Sequence, residues 1–135
     1  MMEANIKKQM QIIFVVDDLE TNLVAGKNAL ADTYNVYTFD SGMRMLKVLE
    51  KLTPDLILLD IKMPEMSGYD VIKTLKDNER TANIPVIFLS ALTDEEDEDK
   101  GLSLGAVDYI SKPFDPPILQ KRVEVHLASK KANVE

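Results

Sequence analysis

The chain has 135 residues, 45% of them hydrophobic, and carries 16 basic against 23 acidic side chains for a net charge of −7, the profile of one globular domain able to bury its own core. It has no cysteine, which excludes disulfides and thiolate chemistry and agrees with a reducing, cytoplasmic setting, while no apolar run approaches the ~20 residues that span a bilayer and the N-terminus lacks the apolar stretch of a secretory signal. The acidic balance repels nucleic-acid phosphates and anionic lipid, so direct contact with nucleic acid or membrane is not expected.

Residues 1–9 read as an N-terminal tail, with the folded domain over 10–130. The first apolar run, Ile12–Val16, has the length of a buried strand and ends in Asp17-Asp18. Gly26-Lys27 in the following segment is not a phosphate loop, because Asn28 stands where that motif needs Ser or Thr. A second run covers Asn35–Phe39. Ser41 then serves as a helix cap, and Met45, Val48, Leu49 and Leu52 fall at i, i+3, i+4 and i+7, the stripe of an amphipathic helix. The third run, Leu56–Leu59, ends at Asp60 and is followed at once by a turn, Ile61-Lys62-Met63-Pro64-Glu65-Met66-Ser67-Gly68. Met43, Met45, Met63 and Met66 read as core or turn residues.

Ser67 and Asp70 form a capping box with Asp in place of Glu, starting the next helix. A fourth strand over Pro85–Leu89 runs into Ser90-Ala91. The acidic stretch Asp94–Asp99 lacks the glycine and spacing of a calcium loop and reads as a helix start capped by Asp94, where the macrodipole favours acids. The fifth strand, Ala106–Ile110, leads into Ser111-Lys112-Pro113-Phe114, and Asp115-Pro116 opens the last helix. His126 there reads as a packing or surface residue. From about Ser129 the chain should loosen, with 131–135 a C-terminal tail.

Five strands alternating with five helices imply an α/β fold: a doubly wound, five-stranded parallel sheet of flavodoxin-like order 2-1-3-4-5. Ligands of such sheets bind at the carboxyl ends of the strands where the winding reverses, between strands 1 and 3. Asp17, Asp18 and Asp60 end those two strands. Two carboxylates ~4 Å apart repel by about 4 kcal/mol at an effective dielectric of 20, so the trio needs a cation or a raised pKa. Oxygen ligands without His or Cys favour Mg²⁺.

The acidic pair, Asp60 with its Met-Pro-x-Met-x-Gly turn, the hydroxyl of Ser90 before Ala91, Gly105-Ala106 ahead of strand 5, and Lys112-Pro113-Phe114 come in the order and spacing of one family. Across roughly residues 10–130 the chain resembles the receiver domain of bacterial response regulators. The resemblance implies a phosphorylation-activated signalling switch rather than an enzyme in its own right. Asp60 would be the phosphoacceptor, and Asp18 a direct Mg²⁺ ligand, with Asp17 acting through water and the Lys62 backbone carbonyl completing the protein ligands. Ser90 and Lys112 would hold phosphoryl oxygens, and Ala91 would leave room for them. Ser90 and Tyr109 would be the switch pair, changing the face made by helix 4, strand 5 and helix 5.

The family pattern also implies a cis Lys112-Pro113 bond, a histidine kinase or phosphotransfer protein as donor, and an output domain or downstream protein as receiver of the signal. It allows for a phosphorylation-dependent dimer. The stretch from Pro113 to Leu127 is similar to receivers fused to cyclic dinucleotide enzymes. Two other readings compete. Aspartyl-phosphate hydrolases of the haloacid dehalogenase type place a second Asp two residues after the nucleophile, where this chain has Lys62. A phosphorylation-independent interaction module would be expected to lack Asp60, Asp18 or Lys112, and all three are present.

Overall fold

The structure, a computed structural model, describes residues 10–91 and 95–134. Five strands, β1 (Ile12–Val16), β2 (Asn35–Phe39), β3 (Leu56–Asp60), β4 (Val86–Ala91) and β5 (Asp108–Lys112), alternate with five helices, α1 (Glu20–Leu30), α2 (Gly42–Leu49), α3 (Gly68–Lys76), α4 (Glu95–Ser103) and α5 (Pro116–Val134). All pairings are parallel and the order is β2-β1-β3-β4-β5, as the alternation of short apolar runs and helical stripes predicted. None of the helices among the described residues is long and apolar enough to cross a membrane.

The central strand explains its own composition. Every residue of β3 is buried, because helices cover both sheet faces and leave no solvent side for a polar alternation. Phe14, Val16, Ile57, Leu59, Val86 and Phe88 pack on one face with Met45 and Leu49 of α2 and Val71, Ile72 and Leu75 of α3. Ile13, Val15, Leu56, Leu58, Ile87, Leu89 and Ile110 pack on the other with Leu23 and Leu30 of α1 and Leu119, Val123 and Leu127 of α5.

The helix signals hold where they can be observed. The Ser41 side chain accepts from the Arg44 N–H, and both halves of the Ser67–Asp70 capping box are present. Gly26 is a buried helical residue facing Val15. The Asp94 cap and the first nine residues lie outside the described residues.

Several strand boundaries differ from the sequence reading. β4 starts at Val86, since Pro85 has no N–H and contributes only its carbonyl, to Ile57; the strand continues to Ala91 because Ser90 and Ala91 pair with Ser111 and Lys112. β5 starts at Asp108 rather than Ala106. The Ala106 N–H is taken by the Gly101 carbonyl and the Gly105 N–H by Leu102, with Gly105 at φ 114°, the hydrogen-bond pattern that closes a helix through a left-handed glycine. The last helix, α5, runs to Val134, and no glycine or proline interrupts residues 118–134.

Candidate functional site

β1 and β3 are neighbours, so their carboxyl ends bring Asp17, Asp18 and Asp60 together: one carboxylate oxygen from each lies within 4.8 Å of the others. Asp17 and Asp60 are buried and Asp18 is exposed. Alternation along β3 puts Asp60 in step with Leu56 and Leu58, toward the α1/α5 face. Lys112, at the end of β5, reaches across β4 to it. Its Nζ lies 2.8 Å from Asp60 Oδ1 and 3.5 Å from Asp17 Oδ2, and the Lys112–Pro113 bond that follows is cis.

Burial is the main reason the Asp60 carboxyl titrates high, pushed up to about 6; the ammonium of Lys112 opposes this and the charge of Asp17 adds to it. Burial also disfavours the charged form of Lys112, but the Asp60 and Asp17 carboxylates outweigh it and hold the ammonium above its ordinary value. The group is therefore two buried anions, one rim anion and one half-buried cation. That charge set favours a further cation, and its all-oxygen donors suit Mg²⁺.

A pocket of about 60 Å³ opens beside Asp60, lined by Lys62, Ser90, Ala91 and Lys112 among others. The Ser90 hydroxyl is buried in it without a hydrogen-bond partner, an arrangement that ordinarily costs about 1–3 kcal/mol. A wider cleft of about 800 Å³ runs between Thr38, Asp40, Arg44 and Lys47 and meets the carboxylates only at Asp18. The expected switch pair shares one face of the sheet: Phe88 pairs with Tyr109 and Ser90 with Ser111, so Tyr109 sits one strand over from Ser90, half-buried against the α2/α3 cluster.

The turn after Asp60 is held tightly. The Gly68 N–H donates to the Ile61 carbonyl at 2.8 Å, and a β-carbon at Gly68 would stand 2.3 Å from the Asp60 carbonyl oxygen. Glu65 takes a left-handed φ of 67° within it.

Two residues carry more than the sequence reading assigned them. Asn22, on the first turn of α1, donates to Asp17 Oδ2 at 3.0 Å; its place five residues after Asp17 was the only signal. His126, expected as a packing or surface residue, packs with a specific partner: its Nε2 lies 2.9 Å from Asp108 Oδ2 while Arg122 donates to the other oxygen at 3.0 Å. The two together tie α5 to the start of β5, and they hold the Asp108 carboxyl below its usual range against the opposing effect of burial.

Comparison with known proteins agrees with this geometry. The family model of the response regulator receiver domain matches residues 13–124. The chain is 46% identical over 120 residues to a Vibrio cholerae protein named "Probable cyclic di-GMP phosphodiesterase", covering 89% of this chain and 27% of that protein. It is 40% identical over 112 residues to the response regulator PleD of Caulobacter vibrioides, covering 82% and 25%. Among solved structures, the receiver domain of a Syntrophus aciditrophicus signal transduction histidine kinase superposes with a TM-score of 0.80 at 34% identity, over 88% of this chain and 91% of that one. The chemotaxis response regulator CheY4 of Vibrio cholerae gives 0.80 at 28%, over 86% and 98%.

The chain belongs to the response regulator receiver domain family. It is a module of phosphorylation-dependent signalling, and it spans only about a quarter of the length of the two curated relatives.

Proposed function

We propose that Asp60 accepts a phosphoryl group from a histidine kinase or phosphotransfer protein and that the domain relays this state to an output domain or downstream protein. The observation that carries the reading is a buried carboxylate at a strand end, 2.8 Å from a half-buried ammonium and within 4.8 Å of two further carboxylates. One Asp60 oxygen would attack phosphorus in line, its new P–O bond forming as the donor's P–N bond breaks. Asp17, Asp18, Asp60 and the Lys62 carbonyl would hold Mg²⁺, which when bound screens the charge of both acceptor and donor. Lys112 neutralises a phosphoryl oxygen, and Ser90, with its hydroxyl unspent, donates to another. Ala91, small, leaves the entrance open to the phosphoryl group.

The hydrolase reading loses on position: Lys62 stands where such an enzyme needs an acid. The name of one relative, "Probable cyclic di-GMP phosphodiesterase", favours an output in cyclic di-GMP turnover, carried outside residues 13–124. Incubation with a small phosphodonor and Mg²⁺ tests the central claim. Wild type should gain one phosphoryl mass, Asp60→Asn should gain none, and Asp18→Ala should react far more slowly. Undiminished labelling of Asp60→Asn would move the acceptor elsewhere.

A further inference from the structure

Asp17 is fully buried, and both its oxygens are already engaged by neutral donors. Oδ1 accepts from the Leu19 N–H at 2.9 Å and Oδ2 from the Asn22 side-chain amide at 3.0 Å. Lys112 approaches the same Oδ2 but stops at 3.5 Å, its closer partner being Asp60. The Leu19 bond is a local turn that comes with the entry into α1. The Asn22 bond is different. It comes from the side chain of a helical residue reaching back to Asp17, and the helix start itself has no side-chain cap.

We infer that Asn22 is a positioning residue for the carboxylate site, acting through Asp17. An amide holds Asp17 Oδ2 in place without cancelling its charge, which a Lys or Arg at this position would do. It also occupies the oxygen that Lys112 would otherwise draw close. Without Asn22, Asp17 is free to turn toward Lys112 and form a tight ion pair. That pair spends the negative charge a cation needs and draws Lys112 away from the side of Asp60 where a phosphoryl group would sit. One neutral hydrogen bond from α1 thus decides how the charge of the site is divided. The inference rests on the Mg²⁺-dependent reading given above.

The test follows Mg²⁺ binding itself, in the unphosphorylated protein, by the amide shifts of Asp18, Ile61 and Lys62. Asn22→Ala should need roughly tenfold more Mg²⁺, the low end of what losing a residue that orients a metal ligand costs, while its amide spectrum stays folded. Asn22→Leu keeps the side-chain volume without the donor and should bind as weakly as Asn22→Ala. Affinity within twofold of wild type in Asn22→Ala, wild-type affinity in Asn22→Leu, or an unfolded spectrum for both variants would each overturn the inference. The reading beneath it fails separately: in that case wild type itself shows no saturable Mg²⁺ shifts at these residues.

Discussion

Lys112 and Asp60, 52 residues apart in the chain, meet through an Nζ–Oδ1 contact of 2.8 Å at the carboxyl edge of the sheet. The contact exists because β4 separates their strands by one position and both side chains point to the same face. Lys112 lies against two buried carboxylates, Asp60 and Asp17, so its removal should be felt in stability as well as in chemistry.

Lys112→Ala should therefore destabilise the Mg²⁺-free protein at pH 7 by about 1–3 kcal/mol, well above the ~0.5 kcal/mol typical of a solvated lysine. Mg²⁺ should restore part of the loss by binding the native state. Phosphorylation should fall much further than stability does. Urea unfolding with and without Mg²⁺, beside phosphodonor labelling, separates the two effects; wild-type labelling in the variant would remove Lys112 from the site.

The titration of Asp60 predicts an unusual pH dependence. Its folded pKa, about 6, lies above the ordinary aspartate value of 3.8. Between those values the native state holds the extra proton, so this group's stabilising contribution is complete below the unfolded pKa and disappears as pH rises through 6. Asp60→Asn cannot ionise. Without Mg²⁺ it should be more stable than wild type at pH 7, by an amount on the order of 1–3 kcal/mol, and the gap should close toward pH 4. Thermal unfolding of both proteins from pH 4 to 8 checks the sign. Because Lys112 lowers this pKa, Lys112→Met should push it higher, readable from the Asp60 carboxyl carbon.

Ser90→Ala should separate resting stability from phosphoryl binding. The hydroxyl is buried without a partner, so its loss should leave the resting protein as stable as wild type or up to about 1 kcal/mol more stable. Binding of a beryllofluoride mimic should weaken by roughly tenfold, the order expected from losing one hydrogen bond to a charged group. Matched denaturant curves and beryllofluoride titrations give both numbers.

If Tyr109 follows Ser90, the mimic should change amide shifts along β5 and α4 as well as around Asp60. A bound group shifts such an equilibrium only by its differential affinity for the two states, so the same resonances in the resting protein should show exchange with a minor form. Changes confined to the neighbourhood of Asp60 would leave a phosphoryl-binding domain without this switch.

Gly68→Ala should disturb the site from behind. The added carbon would stand 2.3 Å from the Asp60 carbonyl oxygen and 2.9 Å from Ile61 Cα, and neither is a flexible side-chain end. A loss of about 3 kcal/mol is expected, the upper range for overpacking, together with shifted Asp60 and Ile61 amides and slower phosphorylation.

Much of this molecule is written in local pattern. The runs ending at Asp17 and Asp60, the stripe Met45-Val48-Leu49-Leu52 and the Ser67–Asp70 box each depend on neighbours within a few residues, so the sequence by itself determined the order of elements, the parallel sheet and the strand ends that carry the acids. The switch of strand parity that sends Asp60 and Ser90 to opposite faces also follows from a period of two, once the register is known. The register, and whatever depends on it, belongs to the tertiary structure. Packing decided that Lys112 lies nearer Asp60 than Asp17, that Ser90 is left without a partner, and that His126 closes on Asp108. It also made Gly68 press on the backbone of Asp60 and aimed Asn22 at Asp17. The reason is physical: local periodicity selects which face of an element is apolar, whereas distances of 3 Å between side chains are set by how whole elements slide and rotate until the core is filled.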